Sequence, residues 1–258
     1  MEQNSLIFGR NPVLEALRNR PESIEKIYIR YGTKGKAIDN IFHLARKFKI
    51  PVSTLDKEKY LRLVKQSEFP DTQGVVAILS VVNYVELTTL VRNAFESTRK
   101  PIFVLLDRIQ DPQNLGAIAR TAECSGVQGI ILTSEDSAPI TPSVVKASSG
   151  AILNIPIAKV KSLSITIEFL KENGFWVIGT DSNAKSVYWE TNYDFALAIV
   201  IGNEGKGISS SILNKCDVVV KIPLFGKTSS LNASVSAGII LYEVLRQRGL
   251  PGSRLHPK

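Results

Sequence analysis

Apolar positions along this chain follow two periods. The runs IFVLL from Ile102 and ALAIVIG from Ala196 are apolar almost throughout, the pattern of strands covered on both faces. Between such runs, apolar residues recur at three- and four-residue steps, the mark of helices with one buried stripe. From Pro101 the two patterns alternate. They predict strand Ile102–Asp107, helix Leu115–Ser125, strand Gly129–Thr133, helix Thr141–Ser148, a short strand near Ile155–Ala158 and helix Ile165–Asn173. Strands Phe175–Thr180 and Ala196–Ile201, a helix near Ile208–Leu213 and strand Val218–Ile222 follow. The last helix carries Leu231, Val235, Ile239, Tyr242 and Leu245 at helical steps, which marks it as scaffold. Such βα alternation predicts a doubly wound sheet whose ligands sit at the carboxyl ends of its strands.

The first 82 residues read as a smaller α/β unit. Asn11-Pro12 resembles a helix cap followed by proline in the first turn. Strand Ile24–Ile29, basic helix Lys36–Phe48, strand Pro51–Thr54, helix Lys57–Lys65 and strand Gly74–Val82 come next. Residues 83–100 have helical spacing at Val85, Leu87, Leu90, Val91 and Phe95, so a helical connector is expected there, with a second domain over 101–258.

Composition narrows the partners. At 258 residues, with 44% apolar and 22% charged residues, the chain can bury a large core, which excludes disorder. A net charge of +8 suits an anionic partner such as nucleic acid. Arg10, Arg18, Arg20, Arg30, Lys34, Lys36, Arg46, Lys47 and Lys49 form either a solvated surface or a phosphate-tracking patch. Cys124, Cys216, His43 and His256 stand in no metal-ligand spacing, so neither disulfides nor a metal is expected. No apolar stretch is long enough to span a bilayer and no leader pattern opens the chain, so a cytoplasmic protein without a membrane partner is expected.

Three strand ends carry polar loops. In the first, Asn114 is positioned to cap a helix on which Arg120 lies six residues further along. The second, Gly202-Asn203-Glu204-Gly205-Lys206-Gly207, is rich in glycine. It fails the phosphate-loop pattern, because position 200 is Val and position 207 is Gly, and no dinucleotide fingerprint opens the sheet. Its glycines are expected to let the backbone fold tightly around a ligand, with Glu204 facing it. In the third loop, Ser229, Ser230 and Asn232 gather at a helix N-terminus, where free N–H groups favour oxygen-rich ligands or an ordinary cap.

Taken together the three loops resemble a known family. N-x-G-x-x-x-R at Asn114, Gly116 and Arg120, I-G-N-E-G-x-G at Ile201–Gly207 and I-P-L-x-G-x-x-x-S-L-N-A-S at Ile222–Ser234 stand in the order and spacing of the SpoU, or TrmH, family. Its members are S-adenosylmethionine-dependent RNA ribose 2'-O-methyltransferases. FGRNPVLEAL at Phe8–Leu17 and TQGVVA at Thr72–Ala77 resemble the amino-terminal substrate-binding domain of the bacterial subgroup that methylates a guanosine of large-subunit (23S) ribosomal RNA. That subgroup usually has histidine where Thr72 stands here.

The resemblance implies an α/β architecture: a carboxy-terminal, trefoil-knotted, parallel-sheet SPOUT methyltransferase domain behind an L30e-like RNA-binding domain. It also implies a homodimer, with RNA as substrate and S-adenosylmethionine as cofactor. Carried over position by position, it assigns catalytic and substrate-positioning roles to Arg120, Asn114, Glu204, Ser230 and Asn232. It assigns cofactor contacts to Gly202, Ile222, Leu231, Thr180 and Leu224. A segment Ser149-Gly150-Ala151 followed by Pro156 also resembles a family element. Transfer RNA as substrate, or RNA binding without catalysis, are the alternatives.

Overall fold

The structure is a computed structural model that describes residues 6–64, 72–203 and 205–249. The chain divides into two compact units. One comprises residues up to Tyr84 with Pro139–Val144, the other Val85–Ala138 and the chain from Val145 onward.

The first unit runs β1 (Leu6–Phe8), α1 (Arg10–Asn19), β2 (Ile24–Arg30), α2 (Lys36–Phe48), β3 (Val52–Leu55), α3 (Lys57–Val64) and β4 (Val75–Leu79). Its sheet has the order β1-β4-β2-β3, with β4 antiparallel to both neighbours and β2 parallel to β3. Alternation along β2 sends Ile27 and Ile29 into a core shared with Leu17, Ile41 and Ala45. The helix α1 starts two residues earlier than Asn11-Pro12 suggests. Gly9, at φ 92°, is its N-cap, because the glycine can take a backbone conformation that a side chain would strain.

The second unit opens with α4 (Leu87–Ser97), the segment read as a connector. Its Leu90, Val91 and Ala94 are buried in that unit's core beside Phe103, Phe175 and Val177. Then follow β5 (Ile102–Asp107), α5 (Pro112–Cys124), β6 (Gly129–Thr133), α6 (Pro142–Ala147), whose first three residues are grouped with the first unit, β7 (Ile157–Val160) and α7 (Leu163–Glu172). The chain continues through β8 (Trp176–Thr180), β9 (Ser186–Val187), β10 (Leu197–Gly202), α8 (Ser210–Leu213), β11 (Val218–Lys221) and α9 (Ala233–Arg248). The seven strands lie in the order β7-β6-β5-β10-β8-β11-β9, and every described pairing is parallel.

This order carries a functional consequence. From β5 the chain steps outward through β6 to β7. It then crosses to β8, two places to the other side of β5, and β10 later fills the gap. The sheet therefore has a switch point between β5 and β10, where the loops on either side diverge and leave a crevice. Register aligns Gly202 with Asp107 and Val220 with Thr180, so the carboxyl ends of β5, β10, β8 and β11 lie along one edge.

The helix α9 buries Ala233, Ala237, Ile240, Leu241 and Val244, a face different from the stripe that marked it in the sequence. On that stripe Val235 is 48% and Tyr242 54% exposed. The helix is apolar on two faces, and small residues at 233 and 237 select the one that packs closely against α5. Among the described residues no helix is long and apolar enough to cross a membrane.

Candidate active site

The site begins where β5 ends. Asp107 is buried there, and its carboxylate accepts the N–H of Ser209 at 2.8 Å and the Nε–H of Arg108 at 3.1 Å. Arg108, at φ 59°, turns back toward the loop after β10, where its Nη2 donates to the carbonyl of Gly207 at 3.4 Å. Its own carbonyl accepts from Asn203 Nδ2 at 3.0 Å. Asn203 Oδ1 in turn accepts the N–H groups of Gly205 at 2.9 Å and Lys206 at 3.2 Å. A carboxylate, a guanidinium and an amide thus fasten two loops into one wall, with charged groups strengthening the bonds.

Glycine is required within that wall. The N–H of Gly207 donates to the carbonyl of Asn203 at 2.7 Å, which folds the loop onto itself. A Cβ at Gly202 would stand 2.3 Å from the nitrogen of Ile208, inside the backbone of the same loop.

A cavity of about 390 Å³ opens in front of it, within the size range of small-molecule sites. Ile201, Gly202, Val220, Ile222, Leu224 and Leu231 line it together with the polar stretch Thr180–Asn183 and with Ser229 and Ser230. Apolar walls with main-chain groups and short polar side chains fit a nucleoside ligand, whose ring needs apolar faces and whose hydroxyls need hydrogen-bond partners. Thr180 Oγ1 donates to the carbonyl of Val200 at 3.2 Å, which pins one side of the mouth.

The structure brings together Gly202, Ile222, Leu231, Thr180, Leu224 and Ser230, all on the cavity wall. Asn114 and Asn232 meet behind it, where Asn232 Nδ2 donates to Asn114 Oδ1 at 2.9 Å. Asn232 is the N-cap of α9, its Oδ1 accepting the N–H of Ser234 at 2.9 Å and of Val235 at 3.4 Å. One amide therefore caps one helix and ties it to another. Asn114 does not cap α5. Asp111 does, accepting the N–H of Gln113 at 3.0 Å with Pro112 in the first turn, which leaves Asn114 buried one position further in.

Arg120 is not on the cavity wall. It is exposed on α5, and its Nη1 donates to Ser149 Oγ at 3.1 Å. Ser149 stands at φ 52° in the turn that Gly116 packs against, and a Cβ at Gly116 would lie 2.5 Å from that of Ala147. The glycine and arginine of the N-x-G-x-x-x-R motif thus hold and contact the Ser149-Gly150-Ala151 turn. Glu204 lies outside the described residues.

Asp107, Arg108 and Asn203 were missed on the sequence. For Asp107 and Arg108 a charged pair closing an otherwise apolar strand was the only signal, whereas Asn203 stood inside the I-G-N-E-G-x-G motif with no role assigned to it. Burial and the neighbouring Asp217 push the Cys216 thiol up to about 12, so this cysteine is a packing group and not a nucleophile. Among the described residues no cluster could hold a metal ion.

Residues 101–242 match the SpoU rRNA Methylase family, and residues 6–85 match the domain described as RNA 2'-O ribose methyltransferase substrate binding. The chain belongs to the SpoU family. A TrmH-family tRNA/rRNA methyltransferase of Bacillus subtilis (strain 168), YacO, is 39% identical over 97% of this chain and 99% of its own. Among solved structures, the SpoU methyltransferase AviRb of Streptomyces viridochromogenes, in complex with the cofactor AdoMet, superposes with a TM-score of 0.59 at 25% identity, covering 94% of this chain and 90% of AviRb. An AdoMet-bound rRNA methyltransferase from Sinorhizobium meliloti gives a TM-score of 0.59 at 25% identity, covering 94% of this chain and 87% of that one. This SpoU protein is accordingly an RNA methyltransferase that takes its methyl group from S-adenosylmethionine.

Proposed function

We propose that the protein methylates a ribose 2'-hydroxyl, at a guanosine of large-subunit ribosomal RNA. The observation that supports this most is the presence, in one chain, of a nucleoside-sized cavity at the carboxyl ends of β10, β8 and β11 and of an amino-terminal unit in which the two motifs FGRNP and TQG meet. Arg10 Nε donates to the carbonyl of Gln73 at 3.2 Å, and Gln73 Oε1 accepts the N–H of Arg10 at 3.3 Å. Thr72, where the ribosomal subgroup usually has histidine, is buried and its Oγ1 accepts from Tyr60 Oη at 2.8 Å, a packing role.

Bound S-adenosylmethionine supplies an electrophilic methyl group on a sulfonium. The residues of this chain have the task of alignment, which alone lowers barriers by several kcal/mol. Gly202, Ile222 and Leu231 hold the adenosine through their backbones, with Thr180 and Leu224 beside it. Ser230 reaches the mouth of the cavity and meets the target ribose. Asn114 and Asn232 keep the loop before α9 in place. Arg120 binds a phosphate next to the target and does not act as base, since a guanidinium holds its proton up to a pKa above about 12. Glu204, between Asn203 and Gly205, orients the loop.

The enzyme acts as a homodimer in the cytoplasm, with the trefoil knot of its class in the second unit. The exposed apolar stripe of α9, Val235 and Tyr242 with the half-buried Ile239 and Leu245 between and beside them, supports self-association. Transfer RNA is the second reading, supported by a likeness to the TrmH/SpoU tRNA modifying enzyme of A. aeolicus at 30% identity, covering 63% of this chain and 84% of that one, with a TM-score of 0.53.

The test is transfer of labelled methyl from S-adenosylmethionine to unmodified 23S ribosomal RNA and to unmodified tRNA, mapped by resistance of the product to alkaline cleavage. One protected guanosine in 23S RNA is expected. Protection in tRNA alone would overturn the substrate, and label on a base instead of a ribose would overturn the reaction.

A further inference from the structure

The amino-terminal unit carries a surface that the cofactor cavity does not explain. Three loops meet at one end of its sheet: residues 9–11, 30–36 and 72–74. The Arg10–Gln73 clasp joins the first to the third. The N–H of Arg30 donates to the carbonyl of Gly74 at 2.9 Å, joining the second to the third, and Gly35 lies 3.5 Å from Arg10 Nη1 as measured from its would-be Cβ. These thirteen positions include Arg10, Arg30, Lys34 and Lys36 and no Asp or Glu; the end of β3 beside them adds Asp56, which pairs with Lys59 at 3.3 Å. Across the first 84 residues the ratio is far more even, 14 Lys and Arg against 9 Asp and Glu, so the loops concentrate the positive charge.

In the middle of this basic end stands Tyr31, 80% exposed. A single exposed aromatic is common and needs no explanation. Tyr31 differs in being held. Its N–H donates to the carbonyl of Leu55 at 2.7 Å, fixing it across the ends of β2 and β3, and the following turn closes through Thr33 N–H to the carbonyl of Arg30 at 3.1 Å. A ring on a fixed backbone, in a loop that also carries Arg30, Lys34 and Lys36, has what an unpaired nucleotide requires: a flat face for the base and positive charge for its phosphates.

We propose that Tyr31 is a stacking platform for an unpaired nucleotide of the RNA substrate, with Arg30, Lys34 and Lys36 contacting the flanking phosphates. This rests on the reading of the protein as an RNA-modifying enzyme and adds where the RNA is gripped away from the reacting ribose. Base stacking on one aromatic is worth about 1–3 kcal/mol, or roughly five- to 150-fold in affinity.

Filter binding of labelled 23S ribosomal RNA and of bulk tRNA to the full-length protein, over a series of salt concentrations, tests it. Tyr31→Ala weakens binding of whichever RNA the wild type retains by about tenfold, Tyr31→Phe restores it, and affinity for S-adenosylmethionine is unchanged in both. Lys34→Ala and Lys36→Ala each lower the slope of log affinity against log salt by about one. Wild-type RNA affinity in Tyr31→Ala overturns the platform and leaves RNA methylation standing, as does equal loss in Tyr31→Phe, which would make the hydroxyl and not the ring the contact. Failure of the wild type to bind either RNA, with cofactor binding intact, would overturn the RNA reading itself.

Discussion

The loop ends of the two units differ in what they enclose. In the second unit, β5, β10, β8 and β11 are parallel and end along one edge, and the loops after β10, β8 and β11 converge around a cavity of about 390 Å³. In the first, only β2 and β3 run parallel. The antiparallel β4 enters from the turn at Thr72–Val75, and the loops spread into an open basic surface. Both ends are fastened by an arginine. Arg108 ties its loop to Gly207 next to a buried carboxylate, whereas Arg10 clasps Gln73 with no acidic residue in those loops. An arginine paired with a carboxylate builds a wall for a small ligand, and loops in which basic residues outnumber acidic ones are left for a polyanion.

The contrast is broken most severely at Gly202. Gly202→Val places carbon inside the backbone of residues 207 and 208, so binding of S-adenosylmethionine is lost in calorimetric titration while RNA binding persists. Arg120→Ala comes next. Its side chain meets Ser149 and not the cavity, so cofactor affinity stays within about twofold, while methyl transfer falls by about 100-fold or more because the substrate is misaligned. Loss of cofactor affinity equal to that of the Gly202 variant would remove the distinction between the two positions.

Asp107→Asn is milder. Removing the charge that holds Ser209 and Arg108 costs about 1.5–3 kcal/mol of that contact, read as a roughly tenfold or greater weakening of cofactor binding with the RNA affinity unchanged. The smallest effect is expected at the far end of α9. Glu243 accepts two bonds from Arg246, at 2.7 and 2.8 Å, and one from Gln247 at 2.8 Å. Chiefly the Arg246 bonds hold its carboxyl below the usual range. Because the folded value is the lower one, the stabilisation is present above the ordinary carboxylate pKa of about 4.3 and disappears as pH falls through the folded value. The stability advantage of the wild type over Glu243→Gln, followed by chemical denaturation, therefore shrinks as pH falls below about 4.3.

The parallel strands were legible because burial on both faces leaves no polar position to confuse the pattern, as in Ile102–Leu106. Two strands went unseen, β1 with three residues and β9 with two, since neither is long enough to establish a period. The order of strands was not legible. It depends on contacts between segments far apart in the chain, such as β10 entering between β5 and β8. In α9 the period identified the helix but counted Leu231 into it, which lies in the loop before the cap Asn232; the period also follows large apolar residues such as Val235 and Tyr242, whereas the buried face carries Ala233 and Ala237. The cap of α5 went to Asp111 over Asn114 because Pro112 fixes where the first turn begins. Six of the residues assigned by motif proved to share one cavity, since backbone-binding loops must keep glycines and small polar residues at set spacings. The Asp107–Arg108 fastening carries no such spacing and emerged only in three dimensions.

The most direct measurement is a crystal structure with S-adenosylmethionine bound. The adenosine is predicted between the loop 202–208 and the loop 222–231, in contact with the backbones of Gly202, Ile222 and Leu231. Cofactor bound elsewhere, with that cavity filled by solvent, would contradict the account.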